Sequence, residues 1–308
     1  MPKVVVFGSM NMDLSIEVDR MPRAGETLAG HDFVTNAGGK GANQAVAASR
    51  LGADVAMVAA VGADGFGDEL VAGLRAAGVD TSEVERTERA TTGVAVIVRT
   101  DADNRIVLHP GANVVMGASE ACAAIGRVAS AGDVLLVQGE CDEAATLAVV
   151  RHAHDMGMRV LVNPAPARPI PDDVWPCVDM VCLNETECEV MCGVLPHDEK
   201  TLRQAADLLV GLGCGCVVVT LGSRGSYALD ARTAGDAREL RVEARRVDAV
   251  DTTAAGDTFI GALAAGLADG RDLAEAMAFG TAAAAITVTR LGAQQSIPTL
   301  DEVRSALA

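Results

Sequence analysis

The stretch Val134-Leu-Leu-Val-Gln138-Gly-Glu-Cys-Asp-Glu143-Ala-Ala-Thr-Leu-Ala-Val-Val-Arg-His-Ala-His-Asp-Met156-Gly-Met-Arg159-Val-Leu-Val162 sets a helical pattern between two short apolar runs. A strand, a helix and a second strand joined by tight turns make a right-handed βαβ unit, which needs a parallel sheet with helices over it. The same alternation runs through most of the chain. Val4–Phe7, Val55–Ala60, Val178–Leu183 and Cys216–Leu221 read as further core strands, and Gly41–Leu51, Gly67–Ala77 and Leu202–Leu212 as helices. The expectation is a three-layer α/β/α domain over residues 1–308 with a mostly parallel central sheet and functional loops at the carboxyl ends of its strands.

Two segments break the alternation. Leu14–Val18 and Leu28–Val34 flank a turn at Met21–Gly25, and Thr92–Thr100 and Arg105–His109 flank Asp101-Ala-Asp-Asn104, a hairpin signal. They read as antiparallel strands inserted at about 12–36 and 91–109. Four such strands make a lid, an edge for a second subunit, or a plain surface sheet.

With 25 Lys plus Arg against 42 Asp plus Glu, the net charge is −17, so the mean field repels phosphates and a general nucleic-acid or anionic-membrane surface is excluded. Any phosphate ligand has to be held by a local arrangement. Seven aromatic residues (five Phe, one Tyr, one Trp) do not build a ladder of stacked bases. The eight cysteines form no CxxC pair. Cys188 and Cys192 one helical turn apart, and Cys214 and Cys216 on one side of a strand, have the spacing of a metal or redox pair; the alternative is buried, reduced thiols. The first strand begins at Val4 with no signal-peptide pattern before it, and Glu275 and Arg290 bracket the Ala-rich stretch near the C-terminus, so a soluble cytoplasmic chain is expected.

Four loops carry chemistry. In Asp251-Thr-Thr-Ala-Ala-Gly-Asp257-Thr-Phe259, small residues at 254–256 let a ligand approach the backbone where a helix begins. Unpaired amides and the macrodipole favour an anion there. Asp257 in the first turn sets a proton acceptor beside that anion hole, or else only complements the dipole. In Asn36-Ala-Gly-Gly-Lys-Gly-Ala-Asn-Gln44, three glycines permit tight turning before a helix. Lys40 is followed by Gly41, so the stretch is not a Walker A loop. Thr220-Leu-Gly-Ser-Arg-Gly225 follows an apolar strand, and its backbone amides with Ser223 are suited to wrapping a polyphosphate or to forming a simple turn. Asn184-Glu-Thr-Glu187 opens a helix either as a capping box or as ligands that order water and Mg²⁺.

Taken together and in this order, the loops resemble the ribokinase family of sugar kinases, the phosphofructokinase B type. Gly38–Asn43 is similar to the family's first signature, and Asp251–Asp257 with its helix to the second. The resemblance runs from Gly8-Ser-Met-Asn-Met-Asp13 through Arg290-Leu-Gly-Ala-Gln-Gln-Ser296. It implies ATP-dependent phosphorylation of the O5 hydroxyl of D-ribose, with Asp257 as base and the amides of Ala254, Ala255 and Gly256 as anion hole. Asn11, Asp13, Gly39, Lys40, Asn43 and Glu140 would hold the sugar. Asn184, Thr220, Leu221, Gly222, Ser223, Arg224, Gly225, Ala255, Gly256 and Thr281 would line the nucleotide. A K⁺-type cation is implied at Asp251, Thr253, Thr287, Arg290, Gly292 and Ser296, with Glu187 acting indirectly on Mg²⁺. A homodimer through the lid is implied as well.

Met12, Gly139 and Gln295 depart from the family pattern, which has a small residue, a larger apolar residue and often proline at those places. The first two bear on the sugar pocket, so deoxyribose or another small sugar stays open. Rival readings are a nucleoside kinase, which normally needs aromatics for its base, and a sugar-binding regulator that kept the fold without turnover. A nicotinamide oxidoreductase would need Gly-x-Gly-x-x-Gly after the first strand, where Gly8-Ser-Met-Asn-Met-Asp13 stands.

Overall fold

The β-branched runs form a parallel core, extended at both edges by strands too polar to stand out in the sequence. The computed structural model describes residues 2–100, 104–233 and 239–308. In chain order the first strands are β1 (Val4–Phe7), β2 (Asn11–Glu17), β3 (His31–Gly38), β4 (Val55–Gly62), β5 (Asp80–Thr87), β6 (Gly93–Arg99) and β7 (Asn104–His109). They are followed by β8 (Val134–Val137), β9 (Arg159–Val162), β10 (Met180–Asn184), β11 (Cys216–Thr220), β12 (Ser226–Asp230) and β13 (Glu239–Val242). The helices are α1 (Lys40–Arg50), α2 (Gly65–Ala76), α3 (Ala118–Val128), α4 (Glu143–Asp155) and α5 (Glu185–Cys192). Then come α6 (Glu199–Gly211), α7 (Ala255–Ala268), α8 (Leu273–Thr287) and α9 (Leu300–Leu307).

Among the described residues nine strands join in the order β13-β12-β11-β10-β9-β8-β1-β4-β5. All pairs from β11 to β5 are parallel, and β12 and β13 close one side antiparallel. Alternate side chains leave opposite faces, so Val4 and Val6 enter one core while Val5 and Phe7 enter the other. The first core lies under α1, α2, α7, α8 and α9, and the second under α3, α4, α5 and α6. The three-layer expectation holds.

The remaining strands form a separate sheet, β3-β2-β6-β7. Pairs β2–β3 and β6–β7 are antiparallel as expected, but β2 and β6 run parallel from Asn11↔Gly93 to Glu17↔Arg99. Each continues outward from a strand of the parallel core, β1 or β5, so the two share a direction. The expected hairpin turn at Asp101–Asn104 includes residues 101–103, which lie outside the described residues.

The contact that positions the site is between α1 and α7. A Cβ on Gly261 would stand 2.6 Å from Ala47 Cβ and 2.6 Å from Gln44 O, so only a hydrogen lets the two helices come this close. Gly261 lies one turn after Asp257, and the contact therefore delivers the first turn of α1 to the first turn of α7. Replacing Gly261 with Ala is expected to destabilise the protein by about 1–3 kcal/mol through overpacking and to lower phosphotransfer with it. Urea denaturation and an ATP-consumption assay measure the two effects.

Candidate active site

Helix α7 starts with Ala254 at φ 59°, a left-handed conformation that costs a non-glycine residue roughly 1–3 kcal/mol. The Ala255 amide donates to Thr252 O at 3.2 Å, and the first regular helical bond is Thr258 N to Ala254 O at 2.8 Å. The amides of Gly256 and Asp257 therefore precede the helical ladder, where helix geometry supplies no acceptor. Of the three small residues expected to donate, Ala255 already spends its N–H on the turn.

Asp257 is held at both carboxyl oxygens. Asn43 Nδ2 donates to Oδ2 at 3.0 Å and Gln44 Nε2 donates to Oδ1 at 2.9 Å, both from α1. The side chain borders a polar cavity together with Lys40, Asn184, Glu187, Ala254 and Gly256. A second, larger cleft is lined by Gly222, Ser223, Gly225, Ala255 and Thr281, with Val247, Phe259 and Val288 among its apolar residues. Thr220, Thr252 and Gly256 line both, so the two spaces meet beside Asp257.

The remaining expected sugar ligands gather on the lid side of Asp257. Asn11 and Asp13 face the same way from β2, and β3 ends in the Gly38-Gly39 turn beside them. A Cβ on Gly38 would strike the Asp13 carboxylate at 2.3 Å, and one on Gly39 would lie 2.8 Å from Asn11 N. Glu140 enters from the end of β8, accepting from the Ser9 hydroxyl and from Lys40 N at 3.1 Å. Asn11 Oδ1 accepts from Asn113 Nδ2 at 2.7 Å, and Asn113 Oδ1 accepts from Met10 N at 2.8 Å. Burial, then the Glu140 and Asp257 carboxylates, push Asp13 up to about 7.

Met12 is fully buried in the first core, on the strand face opposite Asn11 and Asp13, so it does not narrow the sugar side. Gly139 is fixed by packing: a Cβ there would sit 2.5 Å from Pro166 O. Gln295 replaces a frequent proline with a tether, its Nε2 donating to Asn36 Oδ1 of β3 at 3.0 Å.

Other expected residues divide between the site and its supports. Asn184 and Glu187 form a reciprocal capping box, each backbone N–H donating to the other side chain at 2.9 Å. Glu187 still borders the polar cavity, and burial pushes its carboxyl above the usual range against the opposing pull of the Asn184 amide and Lys40. Leu221 is buried in the second core, and Arg224 pairs with Glu185, so neither side chain faces the cleft. Asp251 accepts from Thr253 N and Oγ1 at 2.9 and 2.6 Å and from Gly292 N at 2.9 Å, tying the start of α7 to the loop after α8. Burial pushes that carboxyl up, but these donors together with Arg99 hold it below the ordinary range. Thr287 Oγ1 is spent on Thr258 and Ala283 O, Ser296 Oγ on Ala293 O, and Arg290 on Glu302. Arg290, whose guanidinium only donates, can serve the loop only through its backbone, whereas the Thr287 and Ser296 hydroxyl oxygens keep lone pairs.

The cysteine pairs are satisfied locally: Cys192 Sγ donates to Cys188 O at 3.1 Å and Cys214 Sγ to Cys216 O at 3.2 Å. All eight thiols are free. Sequence reasoning missed Ser9, Gln44, Asn113 and Asn163, and the Arg245–Val247 wall of the larger cleft. Asn163 had a usable signal, since it follows the carboxyl end of β9, where functional loops gather. Ser9 shares that placement after β1 and Gln44 closes the glycine-rich stretch, while Asn113 and the Arg245–Val247 wall show no signal in a single sequence.

Comparison with known proteins decides the lineage. The model of the pfkB family of carbohydrate kinases matches residues 1–300. The chain belongs to that family. It is accordingly a phosphotransferase with an alcohol acceptor. Ribokinase from Staphylococcus aureus is 37% identical over 304 residues, covering 98% of each chain. Deoxyribokinase from Salmonella typhi is 34% identical over 307 residues, covering 99% of this chain and 98% of its own. The structure of Arabidopsis thaliana ribokinase complexed with ribose and ATP superposes with a TM-score of 0.91 at 30% identity, covering 99% of this chain and 98% of that one. No helix among the described residues is long and apolar enough to cross a membrane.

The raised Asp13 carries a linkage with a definite sign. Between pH about 4 and about 7 the folded state binds a proton that the unfolded chain has released, so ligand-free stability falls as pH rises through that window. Asp13→Asn removes the cost. The variant is expected to melt above the wild type at pH 8, by the equivalent of a few kcal/mol, with the gap closing toward pH 4. Thermal denaturation of both proteins across that range measures it, and a gap that widens on acidification refutes it.

Proposed function

We propose that this chain transfers the γ-phosphoryl group of ATP to the O5 hydroxyl of D-ribose, in the cytoplasm, where ATP is plentiful and its thiols stay reduced. The observation that carries the reading is Asp257, fixed at both oxygens where the polar cavity and the larger cleft share walls. Hydroxyls of a small sugar find carboxylates and amides in Asn11, Asp13, Asn43 and Glu140, with Lys40 and Gly39 closing the turn. Asp257 accepts the O5 proton as the oxygen attacks phosphorus. The O5–P bond forms, the bond to the β-phosphate oxygen breaks, and ADP leaves. The amides at the start of α7 face the charge that develops on the transferred group.

The cofactor reading follows from donor chemistry. Mg²⁺ bound with ATP would spread its charge, and Glu187 and Asn184, which border the polar cavity, would order its water. The Asp251 loop offers a carboxylate held ionised, the Thr253 hydroxyl and backbone carbonyls, an oxygen-only set that fits K⁺. A bound cation there would add positive charge behind the anion-binding turn.

The deoxyribokinase relative makes deoxyribose the competing acceptor to assay. A panel of ribose, deoxyribose, other pentoses and nucleosides with MgATP is expected to favour ribose, with higher rates in KCl than in NaCl at equal ionic strength. Better turnover of another acceptor refutes the sugar assignment, and indifference to the salt refutes the cation loop. Asp257→Asn is expected to lower kcat by roughly two to four decades while circular dichroism stays unchanged. Near-normal turnover by the folded variant would overturn the reading.

The quaternary proposal rests on the lid. Its outer strands expose Phe33, Val34, Ile106, Val107 and Leu108, and β6 exposes Val96, a run of apolar side chains on one small sheet. We therefore assign a homodimer through this sheet. Light scattering is expected to give twice the 31.5 kDa chain mass, and a monomer at working concentration would remove the assignment.

A further inference from the structure

Three buried amide side chains stand behind Asp257, Gln44 in direct contact with its carboxyl and Gln138 and Asn163 one hydrogen bond further back. We propose that Gln44 is a positioning residue for phosphoryl transfer, and that Gln138, Gln44 and Asn163 act as one unit fixing the direction of the Asp257 carboxylate. The inference rests on the reading of Asp257 as base.

The hydrogen bonds leave little freedom. Gln44 is 0% exposed, and Gln138 and Asn163 are each 3% exposed. Gln138 Nε2 donates to Gln44 Oε1 at 2.7 Å; Gln44 Nε2 donates to Asp257 Oδ1 at 2.9 Å and to Asn163 Oδ1 at 3.0 Å; Asn163 Nδ2 donates to Cys182 O at 3.0 Å. The orientation of each amide follows from its ends. A carboxylate and a backbone carbonyl only accept, so Gln44 must turn its N–H groups toward Asp257, and Asn163 must turn its own toward Cys182. Gln44 spends both N–H bonds and its carbonyl, and a rotation would break three bonds in a dry interior.

The arrangement refers the carboxylate to the sheet. Gln138 follows β8, Asn163 follows β9 and Cys182 belongs to β10, three neighbouring core strands. Asn43 alone would leave the carboxyl one anchor and freedom to swing about its terminal torsion. With Gln44 in place, the unshared electron pairs of Asp257 point steadily into the cavity it lines with Lys40 and Gly256. A proton acceptor works only within hydrogen-bond reach and alignment of the hydroxyl it serves.

The test uses the intact protein with ribose and MgATP. Gln44→Met keeps length and removes the donor, and is expected to lower kcat by about 10–100-fold with both KM values within about twofold of wild type. Gln44→Glu keeps the shape but offers no donor when ionised; it is expected to fail similarly at pH 8 and to recover partly at pH 5.5, where a protonated carboxyl can donate. Comparison with the uncharged Gln44→Met separates loss of the donor from like-charge repulsion at Asp257. Gln138→Met breaks the chain one bond further out and is expected to cost kcat about threefold, and nothing more in the Gln44→Met background. If Gln44→Met does not fold, Gln138→Met and Gln44→Glu still decide the question. Wild-type kcat in folded Gln44 and Gln138 variants, or a loss confined to KM, overturns the proposal when Asp257→Asn is inactive. An active Asp257→Asn overturns the underlying assignment instead.

Discussion

Two helices meeting without a side chain between them set the geometry on which the site depends. Where α7 crosses α1, Gly261 rests against the backbone of Gln44, and the first turns of both helices come together. Asn43 and Gln44 reach Asp257 from that contact. A similar economy holds the start of α1, since a Cβ on Gly41 would lie 2.6 Å from the backbone of Gly8, just past the end of β1. The catalytic arrangement proposed here is thus referred to the sheet through close backbone contacts that longer side chains would open.

Electrostatically the centre works against the whole. A chain of net charge −17 has to accommodate a polyanionic nucleotide, and it gathers Asp13, Glu140 and Asp257 near the transfer point. The compensation is local: the helix start at Ala255, Lys40, and donors that leave each carboxylate oriented. Asp13 bears the largest cost, held by burial and like charges near 7. Asp251 sits at the other extreme, with enough donors to keep it ionised despite its burial.

The sequence made legible what depends on local periodicity and on glycine-rich loops. Val4–Phe7, Val55–Gly62, Val134–Val137 and Cys216–Thr220 stand where their β-branched runs predict. β5 was hidden because Asp80-Thr-Ser-Glu-Val-Glu-Arg-Thr87 is an edge strand with a polar exterior, and edge strands lack the apolar run of central ones. The parallel β2–β6 pair was hidden because strand direction follows from where each segment leaves the body, a tertiary fact. At the site, the loop positions were readable from residue type and order. Side-chain direction was not: Arg224 turns to Glu185, Met12 into the core and Ser296 onto Ala293 O. The supporting amides escaped notice because Gln44 and Gln138 gain significance only through partners 94 or more positions away.

The lid owns part of what it covers. Asn11 and Asp13 belong to β2, while Asn43, Glu140 and Asp257 belong to the body, and Gln295 ties Asn36 of the adjoining strand to the C-terminal loop. On the proposed reading, a sugar seated between these groups would be gripped by two jaws of one clamp, and parting the jaws would surrender part of the hold. Opening and release would then be a single motion, with the cargo itself serving as the pin.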